Sequence, residues 1–346
     1  MKHHIIFFYF LFCLGCANMI PPNGGAIDTS PPQLISTFVE QEIKDSITQI
    51  ICTFDEIILE NNFKEHFFTS PPIINYEYRI KNNTLFLKIN EILNKDLVYK
   101  LNFGSGLKDH LEGNVLDSLS IYLNQDTLKI SKLDLCDIKF KVVNAFNQED
   151  CEGHWVLLYE HNKVDFTNYP SPDFVARTDN KGEAAFHFLP NKDYYVVTLS
   201  GNNYMIDPED KIGFREEVIN FSRDSTILIK SFHPNFVDDS IICDLTDTLS
   251  ELGALLLDVG NIENAVVKII NDNKLVSKHN YINGKINTVK LLPGLYDIQV
   301  FIDENHNFLW DTGSFNKRKQ PEEIILYRKK IKIKSNWDTK LSTDAS

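Results

Sequence analysis

The chain has 346 residues, 43% of them hydrophobic and 24% charged, which is an ordinary globular composition with enough apolar residues for a core. This length predicts two or three domains. The formal net charge of −13 argues against nucleic acid as a partner, because nucleic-acid binding needs a basic face.

The N-terminus has the pattern of a bacterial export signal. Polar and basic residues precede an apolar run over residues 5–14, and that run is about half of the ~20 residues that a membrane-spanning helix needs. Leu14-Gly15-Cys16 resembles a bacterial lipobox, although Cys13 stands where the family usually has Leu. The resemblance implies cleavage before Cys16, which would then carry a diacylglycerol thioether and an amide-linked acyl chain such as palmitate. Several acyl chains give stable membrane anchoring.

The segment after the lipobox indicates the cellular location of the anchored chain. Residues 16–30 are rich in Pro and Gly and predict a semi-extended tether. Ala17 follows the cysteine where an Asp would favour retention in the inner membrane, and no acidic cluster follows. By resemblance to Gram-negative lipoproteins, the expected location is the periplasmic side of the outer membrane, with the membrane itself as one partner.

From residue 33 onward the pattern is that of short β-strands separated by turns, which predicts an all-β chain of sandwiches. Residues 76–89 predict a hairpin that turns at Asn82-Asn83, since Asn tolerates positive φ. Alternation over residues 97–103 places four side chains on one buried face: Leu97, Tyr99, Leu101 and Phe103. Residues 251–259 have a pattern that fits either a helix or a strand.

Residues 28–123 resemble the bacterial Ig-like domain of the SbsA type, which follows lipoprotein signals in many envelope proteins. The matching landmarks are Phe54-Asp55-Glu56, Ser70-Pro71-Pro72 and a turn from Asp109 to Asn114 after a "Y-x-L-N-F-G" strand. The resemblance implies a structural and spacing module and not a catalyst.

An internal repeat follows. Residues 177–198 and 281–303 each contain a polar turn with glycine (Gly182, Gly284), an alternating strand, a Leu-Pro step and a strand bearing Tyr. This pattern resembles the carboxypeptidase-regulatory-like or transthyretin-like β-sandwich. The C-terminal segment, with "WDTG", "QPE" and a predicted final strand in "IILYRKKIKIK", resembles the end of the same lipoproteins.

These features together predict an all-β chain with tandem Ig-like and transthyretin-like sandwiches after a lipoprotein signal peptide and tether. The predicted boundaries are: signal peptide 1–15, tether 16–30, Ig-like domain 31–128, carboxypeptidase-regulatory-like sandwich 129–235, linker 236–247, second transthyretin-like sandwich 248–338 and disordered tail 339–346.

One loop in the second repeat has the spacing of a calcium ligand set. The side-chain oxygen donors Asp303, Asn305, Asn307 and Asp311 occupy positions 1, 3, 5 and 9 of an EF-hand-like loop. The backbone carbonyl of Leu309 occupies position 7. The loop lacks two EF-hand features, because Phe308 replaces the glycine of position 6 and Ser314 replaces the glutamate of position 12. The alternative is a cluster of Asx turns, in which Asn and Asp side chains bind their own backbone.

The remaining cysteines leave two alternatives open. Cys52, Cys136, Cys151 and Cys243 stay in the chain after processing, and an exported compartment permits disulfides between them. Three of the four lie in or beside apolar runs, which favours buried free thiols.

The sequence contains none of the common catalytic signatures, including GxSxG, HExxH, GxGxxG and GxxxxGK[ST]. We therefore expect no enzyme and no required cofactor, with calcium as the one candidate ion. The expected function is a structural or interaction module of the envelope that contacts an envelope protein or a glycan. The alternative is a polysaccharide-binding or polysaccharide-acting protein, which an exposed aromatic platform or a carboxylate-lined cleft would favour.

Overall fold

A computed structural model describes residues 27–42, 47–124, 134–161, 170–219, 226–238, 242, 251–258, 262, 264–281, 287–327 and 329–342. Strands dominate it, and a single α-helix of four residues, α1, lies among the described residues. The elements in chain order are β1 (Leu34–Glu42), β2 (Ile47–Phe54), β3 (Ile58–Glu60), α1 (Phe63–His66), β4 (Phe68–Ser70), β5 (Tyr76–Lys81), β6 (Thr84–Ile89), β7 (Tyr99–Asn102), β8 (Leu107–Asp109), β9 (Ser120–Leu123), β10 (Leu135–Asn144), β11 (Trp155–Glu160), β12 (Phe174–Arg177), β13 (Glu183–Pro190), β14 (Tyr194–Leu199), β15 (Ile212–Phe214), β16 (Thr226–Phe232), β17 (Gly253–Asp258), β18 (Ala265–Asn271), β19 (Lys274–Tyr281), β20 (Asn287–Leu291), β21 (Gly294–Ile302), β22 (Ile324–Leu326), β23 (Ile331–Ile333) and β24 (Asp338–Ser342).

The chain divides into two compact units. The first consists of Met1–Phe67, Glu77–Asn90 and Phe103–Leu119, and the second consists of Phe68–Tyr76, Glu91–Asn102 and Ser120–Ser346. The range predicted to be one Ig-like domain, 31–128, thus supplies strands to both units, and the domain boundaries stay a prediction.

The first unit is built on a four-stranded sheet in the order β1-β2-β6-β5 and a two-stranded sheet of β3 and β8. Alternate residues of β2 and β6 are buried, as period-2 alternation requires of a sheet with one core face. The β5–β6 hairpin turns at Asn82 with φ 54°, which confirms the turn expected from the Asn-Asn pair. The predicted Asp109–Asn114 turn closes on the Asp109 carboxylate, which accepts the backbone N–H groups of three turn residues: Glu112, Gly113 and Asn114.

The second unit contains two sandwiches with the same strand topology. In the first, the strand order is β12-β11-β14-β15-β16-β10-β13, and β10 pairs antiparallel with β13 and parallel with β16. In the second, β19-β18-β21-β22 corresponds to β12-β11-β14-β15, and β17 pairs antiparallel with β20 and parallel with β24. Tyr194 and Tyr296 each donate their hydroxyl to a carbonyl four residues earlier, at Pro190 and Leu292. The internal repeat is therefore a repeat of structure.

The sheet of the first sandwich is buried on both faces. One face packs on its own apolar cluster, which includes Phe140, Leu158 and Val196. The other face, which includes Trp155 and Leu157, packs against residues of the second sandwich. Strands buried on two faces are apolar at almost every position, which explains the continuous run "WVLLY" of β11.

The core of the second sandwich lies between its two sheets, with Leu255 and Leu291 from one sheet and Val267 and Ile298 from the other. Residues 253–258, where the sequence fits helix or strand, form β17. The predicted final strand forms two short strands instead, β22 and β23, and Asp338–Ser342 forms a further strand beside β17. Residues 339–342, which the sequence placed in a disordered tail, thus extend the sandwich, because backbone pairing with β17 does not need an apolar sequence.

The prediction of an all-β chain of several sheets is confirmed. Among the described residues, no helix has the length and apolarity that crossing a membrane requires. The signal peptide, most of the tether and Gly284 lie outside the described residues.

Candidate functional site

The loop predicted to bind calcium follows β21 and is organised by a buried carboxylate. Asp303 is 1% exposed. Its Oδ1 accepts the N–H of Asn307 at 3.1 Å, and its Oδ2 accepts the N–H of Phe308 at 2.8 Å. Phe308 has φ 65°, so the left-handed turn that Gly would favour at position 6 is made by a phenylalanine.

The side chains of three other predicted ligands, Asn305, Asn307 and Asp311, contact one another. Asn305 and Asn307 both donate side-chain N–H groups to the Asp311 carboxylate, Asn307 at 3.1 and 3.2 Å. Asn305 Oδ1 accepts the N–H of Asn307, and Asn307 Oδ1 accepts the N–H of Leu309 at 2.7 Å. The structure therefore brings together the four side chains that the spacing singled out, in a pattern of Asx turns.

Glu322 follows the loop in sequence and accepts two of the loop's backbone N–H groups. The sequence did not predict it as a site residue. Its carboxylate accepts the N–H of Glu304 through Oε1 and the N–H of Asp311 through Oε2, each at 2.9 Å. The side chain is almost completely buried. Burial raises the pKa of Glu322, the two N–H donors oppose this rise, and the Asp311 and Asp303 carboxylates add to it.

An aromatic layer supports the loop from the protein side. Trp310 is buried, donates its indole N–H to the carbonyl of Glu322 at 2.9 Å, and packs its ring against Phe146 and Phe236. The loop is thereby tied to the apolar cluster that joins the two sandwiches. A tryptophan in the middle of a polar loop is the sequence signal of this attachment, since a buried indole needs a hydrogen-bond acceptor.

The calcium prediction remains a prediction. Among the described residues, no group of three or more His, Cys, Asp or Glu side chains is arranged to hold a metal ion. The predicted set, however, takes half of its side chains from Asn. The amide nitrogens of Asn305 and Asn307 face Asp311, and rotating both amides by half a turn would present two oxygens beside that carboxylate.

The three cysteines in the described part of the chain form no disulfide. Cys52, Cys136 and Cys151 are free thiols, and burial raises the pKa of each to about 11, so they are unreactive at neutral pH. This confirms the free-thiol alternative for these three. The predicted lipidation site, Cys16, and the fourth cysteine, Cys243, lie outside the described residues.

A second feature is an exposed pair of aromatic rings, which we call the aromatic corner: Tyr122 on β9 and Phe188 on β13. The two side chains are 42% and 39% exposed, and their rings meet edge to face with centroids 5.2 Å apart. His187 lies beside them, with its ring centroid 6.3 Å from that of Tyr122, and its Nδ1 is 2.8 Å from Asp137 Oδ2.

A β-bulge creates the aromatic corner. The pairing of β10 with β13 shifts register between Cys136 and Ile138, and β13 is the terminal strand of its sheet. Phe188 has φ 59° and donates its N–H to Asp137 Oδ1 at 3.0 Å. A bulky residue in the left-handed region is strained, and the hydrogen bond to Asp137 holds Phe188 in this conformation with its ring partly exposed. No sequence signal predicted this bulge.

No family model matches the chain, and neither does any curated protein. Solved structures align with it only loosely. The TIE protein of Bacillus anthracis is 16% identical, with a TM-score of 0.19, and the alignment covers 93% of this chain and 58% of that protein, so this chain spans less than two thirds of its length. The minor pilin of Streptococcus agalactiae is 14% identical over 59% of this chain and 94% of the pilin, with a TM-score of 0.19. The Escherichia coli alpha-2-macroglobulin fragment spanning MG0-NIE-MG1 is 9% identical over 86% of this chain and 97% of the fragment, with a TM-score of 0.23. These TM-scores are too low to indicate a function.

Proposed function

We propose that the chain is a lipoprotein anchored through Cys16 on the periplasmic side of the outer membrane, where it serves as a non-catalytic structural or interaction module of the cell envelope. The lipobox-like Leu14–Cys16 and the Pro/Gly-rich residues 16–30 support the anchor and the tether. The stacked β-sandwiches of the second unit support the structural role, because such modules present strand edges and loops on a rigid scaffold.

The observation that carries the interaction role is the edge strand β1. It is the terminal strand of its sheet, with β2 on one side. It also exposes large apolar side chains, Ile35 at 66% and Phe38 at 60%. Edge strands of natural proteins are normally protected by charge, by Pro or by a covering element, since an open apolar edge is a template for another strand. We therefore expect β1 to receive a strand of an envelope protein by β-augmentation.

The interaction role is tested by crosslinking intact cells and purifying the tagged chain from the membrane fraction. We expect a dominant envelope protein to be recovered with the wild type and lost with Phe38→Lys, which places a charge on the edge strand. The matched control is Leu111→Lys, because Leu111 is exposed in the same unit and lies outside β1. Equal recovery from both variants would contradict a role for β1.

The anchor is tested by replacing the predicted acylated residue. We expect Cys16→Ala to lose metabolic labelling by palmitate and to leave the outer-membrane fraction. Cys13→Ala serves as the control, since that residue would be removed with the signal peptide. A Cys16→Ala chain that is still labelled and still fractionates with the outer membrane would refute the lipoprotein assignment.

Glycan binding is the second candidate function, and the aromatic corner is the observation that favours it. Tyr122 and Phe188 present exposed ring faces of the kind that pack against the C–H faces of a sugar, and His187 and Asp137 supply polar groups beside them. Electrophoresis in native gels that contain polysaccharide would test this. The polysaccharide should slow the migration of the wild type and should not slow the Tyr122→Ala variant. Trp337→Ala, which removes an exposed aromatic ring elsewhere, is the control. If Tyr122→Ala and the wild type migrate alike, the corner is not a glycan site.

A further inference from the structure

The least expected polar group in the molecule is Lys268, which lies inside the apolar cluster between the two sandwiches. Its side chain is 2% exposed, and its Nζ contacts the carboxylate of Asp238, whose side chain is 4% exposed. The rings of Phe146 and Phe301 lie 5.1 and 5.8 Å from Nζ. Lysine and aspartate are among the residues least often fully buried.

The internal repeat shows that the fold does not require a lysine here. Lys268 on β18 is paired with Gln299 on β21, and, with Tyr194 aligned on Tyr296, the equivalent pair of the first sandwich is Leu157 with Val197. Leu157 is a buried member of the same apolar cluster. Lys268 thus occupies a position that an apolar or aromatic side chain fills in the other copy.

A buried ion pair is energetically costly at such a position. The cost of removing both charges from water is comparable to what their mutual attraction returns, and apolar replacements are often as stable or more so. A neutral amide between the same two side chains would carry no charge and would keep one N–H and one C=O to satisfy.

We propose that Lys268 and Asp238 condense to form an intramolecular amide cross-link. Nζ attacks the carboxyl carbon Cγ of Asp238, a C–N bond forms and one C–O bond breaks. The ammonium and the carboxylate together supply the two protons and the oxygen that leave as one water molecule. The step is balanced by the two side chains alone and needs no oxidant, reductant or co-reactant.

The surroundings fit the product. Gln299 stands directly across the sheet from Lys268 and is 5% exposed. Its Nε2 donates to the carbonyl of Phe146 at 3.0 Å, while its buried Oε1 has no hydrogen-bond partner in the structure. An amide at Lys268 offers a single N–H on the same face of the sheet, which is the donor that an unpaired amide oxygen needs.

The cross-link would fasten the segment that follows the first sandwich to a central strand of the second. Its ends are 30 residues apart in sequence. A covalent bond of this span restricts the unfolded chain in the way that a disulfide does and should raise the unfolding temperature. The described cysteines form no disulfide, so the amide would be a covalent cross-link that does not depend on redox conditions. This inference does not rest on the proposed anchor or partner.

The test is peptide mapping by tandem mass spectrometry of the full chain purified from the cells that produce it, from whichever fraction contains it. We expect trypsin to leave the Lys268 site uncut and to release a branched peptide that joins the Asp238 and Lys268 segments, lighter by one water than the two separate peptides. The internal control is Lys192 with Glu160, an ion pair of 3.0 Å in which Lys192 is half exposed; it should remain unlinked.

Two variants separate the cross-link from a structural ion pair. Lys268→Met removes the nucleophile and leaves Asp238 buried without its cation, so that variant can fail to fold. The double variant Lys268→Met with Asp238→Leu replaces the pair by apolar groups of similar size and should fold, give unbranched peptides and unfold at a lower temperature than the wild type. Wild-type peptides with unmodified Lys268 and Asp238 would overturn the proposal, as would a double variant that melts no lower.

Discussion

The two sandwiches of the second unit carry the same loop after equivalent strands, and the two loops are held in different ways. In the first copy the loop after β14 is anchored by Asp210, which is buried and accepts the N–H of Asp207 at 3.1 Å. In the second copy the loop after β21 is anchored by Asp303 and Glu322, which together accept four backbone N–H groups. A buried carboxylate is common to both loops, and so is one Asn side chain that donates to an Asp carboxylate: Asn203 to Asp207 in the first and Asn307 to Asp311 in the second. The second loop adds Asn305, which donates to the same Asp311 carboxylate.

This difference accounts for the absence of one ligand-type side chain from the first loop, with the two loops aligned on Asp207 and Asp311. Gly201 stands where the second copy has Asn305, and a Cβ added to Gly201 would lie 2.6 Å from Oδ1 of Asp210. The anchoring carboxylate of the first loop thus occupies the space that a side chain at position 201 would need. In the second loop the anchors lie elsewhere, at Asp303 and Glu322, and Asn305 is free to point toward Asp311.

The largest effect is expected from removing the anchor that makes the second loop distinct. Asp303→Ala should lower the free energy of unfolding by about 2–4 kcal/mol, since it leaves the N–H of Phe308 without its acceptor and the N–H of Asn307 with the Asn305 side chain alone. Urea denaturation measures the loss. Asp210→Ala in the first loop removes one such bond and should lower the stability by about 1–2 kcal/mol. Equal losses from the two variants would refute the proposed difference in anchoring.

The next effect tests the steric argument. Gly201→Asn should lower the free energy of unfolding by about 1–3 kcal/mol, as overpacking against a buried carboxylate does. The reciprocal change Asn305→Gly should be nearly neutral, because Asn305 is exposed and bonds only within the loop. Thermal unfolding of both variants beside the wild type measures the effect. A neutral Gly201→Asn variant would mean that the first loop has room for a ligand and lost it for another reason.

Much of this architecture could be predicted from the sequence. Period-2 alternation predicted the strands of both repeats, and the Leu-Pro and Tyr landmarks predicted that the two copies share a fold. The spacing of the second loop also identified Asp303, Asn305, Asn307 and Asp311 as neighbours, which the structure confirms. These features depend on local spacing, which a sequence displays directly.

The other features depend on contacts between residues that are distant in sequence. Glu322 lies 18 residues after Glu304, whose N–H it accepts, and Asp238 lies 30 residues before Lys268. The bulge at Phe188 follows from the register of β10 with β13 and leaves no mark in a pattern of apolar residues. The sequence also predicted a disordered tail at residues 339–342, because the pairing of these residues with β17 leaves no local pattern in the sequence.

A smaller effect would decide whether the second loop binds calcium. If its dissociation constant is in the ~10⁻⁴–10⁻³ M range of extracellular sites, calcium at ten times that concentration should stabilise the chain by about 1.4 kcal/mol and raise its melting temperature relative to chelator. The double variant Asn305→Ala with Asn307→Ala should lose the response. Asn203→Ala, in the first loop, should keep it. Identical melting with calcium and with chelator would leave the Asx-turn cluster as the whole explanation of the loop.

The smallest effect concerns the protonation of the second anchor. Because the folded-state pKa of Glu322 is raised above its ordinary value, first of all by burial, the folded chain holds this proton more tightly than the unfolded chain does. Its contribution to stability is therefore fully present below the unfolded pKa, near 4.5, and is lost as the pH rises through the folded pKa. Glu322→Gln, which keeps an acceptor and cannot ionise, should flatten the decline of the free energy of unfolding above pH 4.5. A Glu322→Gln chain with the wild-type pH profile would contradict this role of Glu322 protonation.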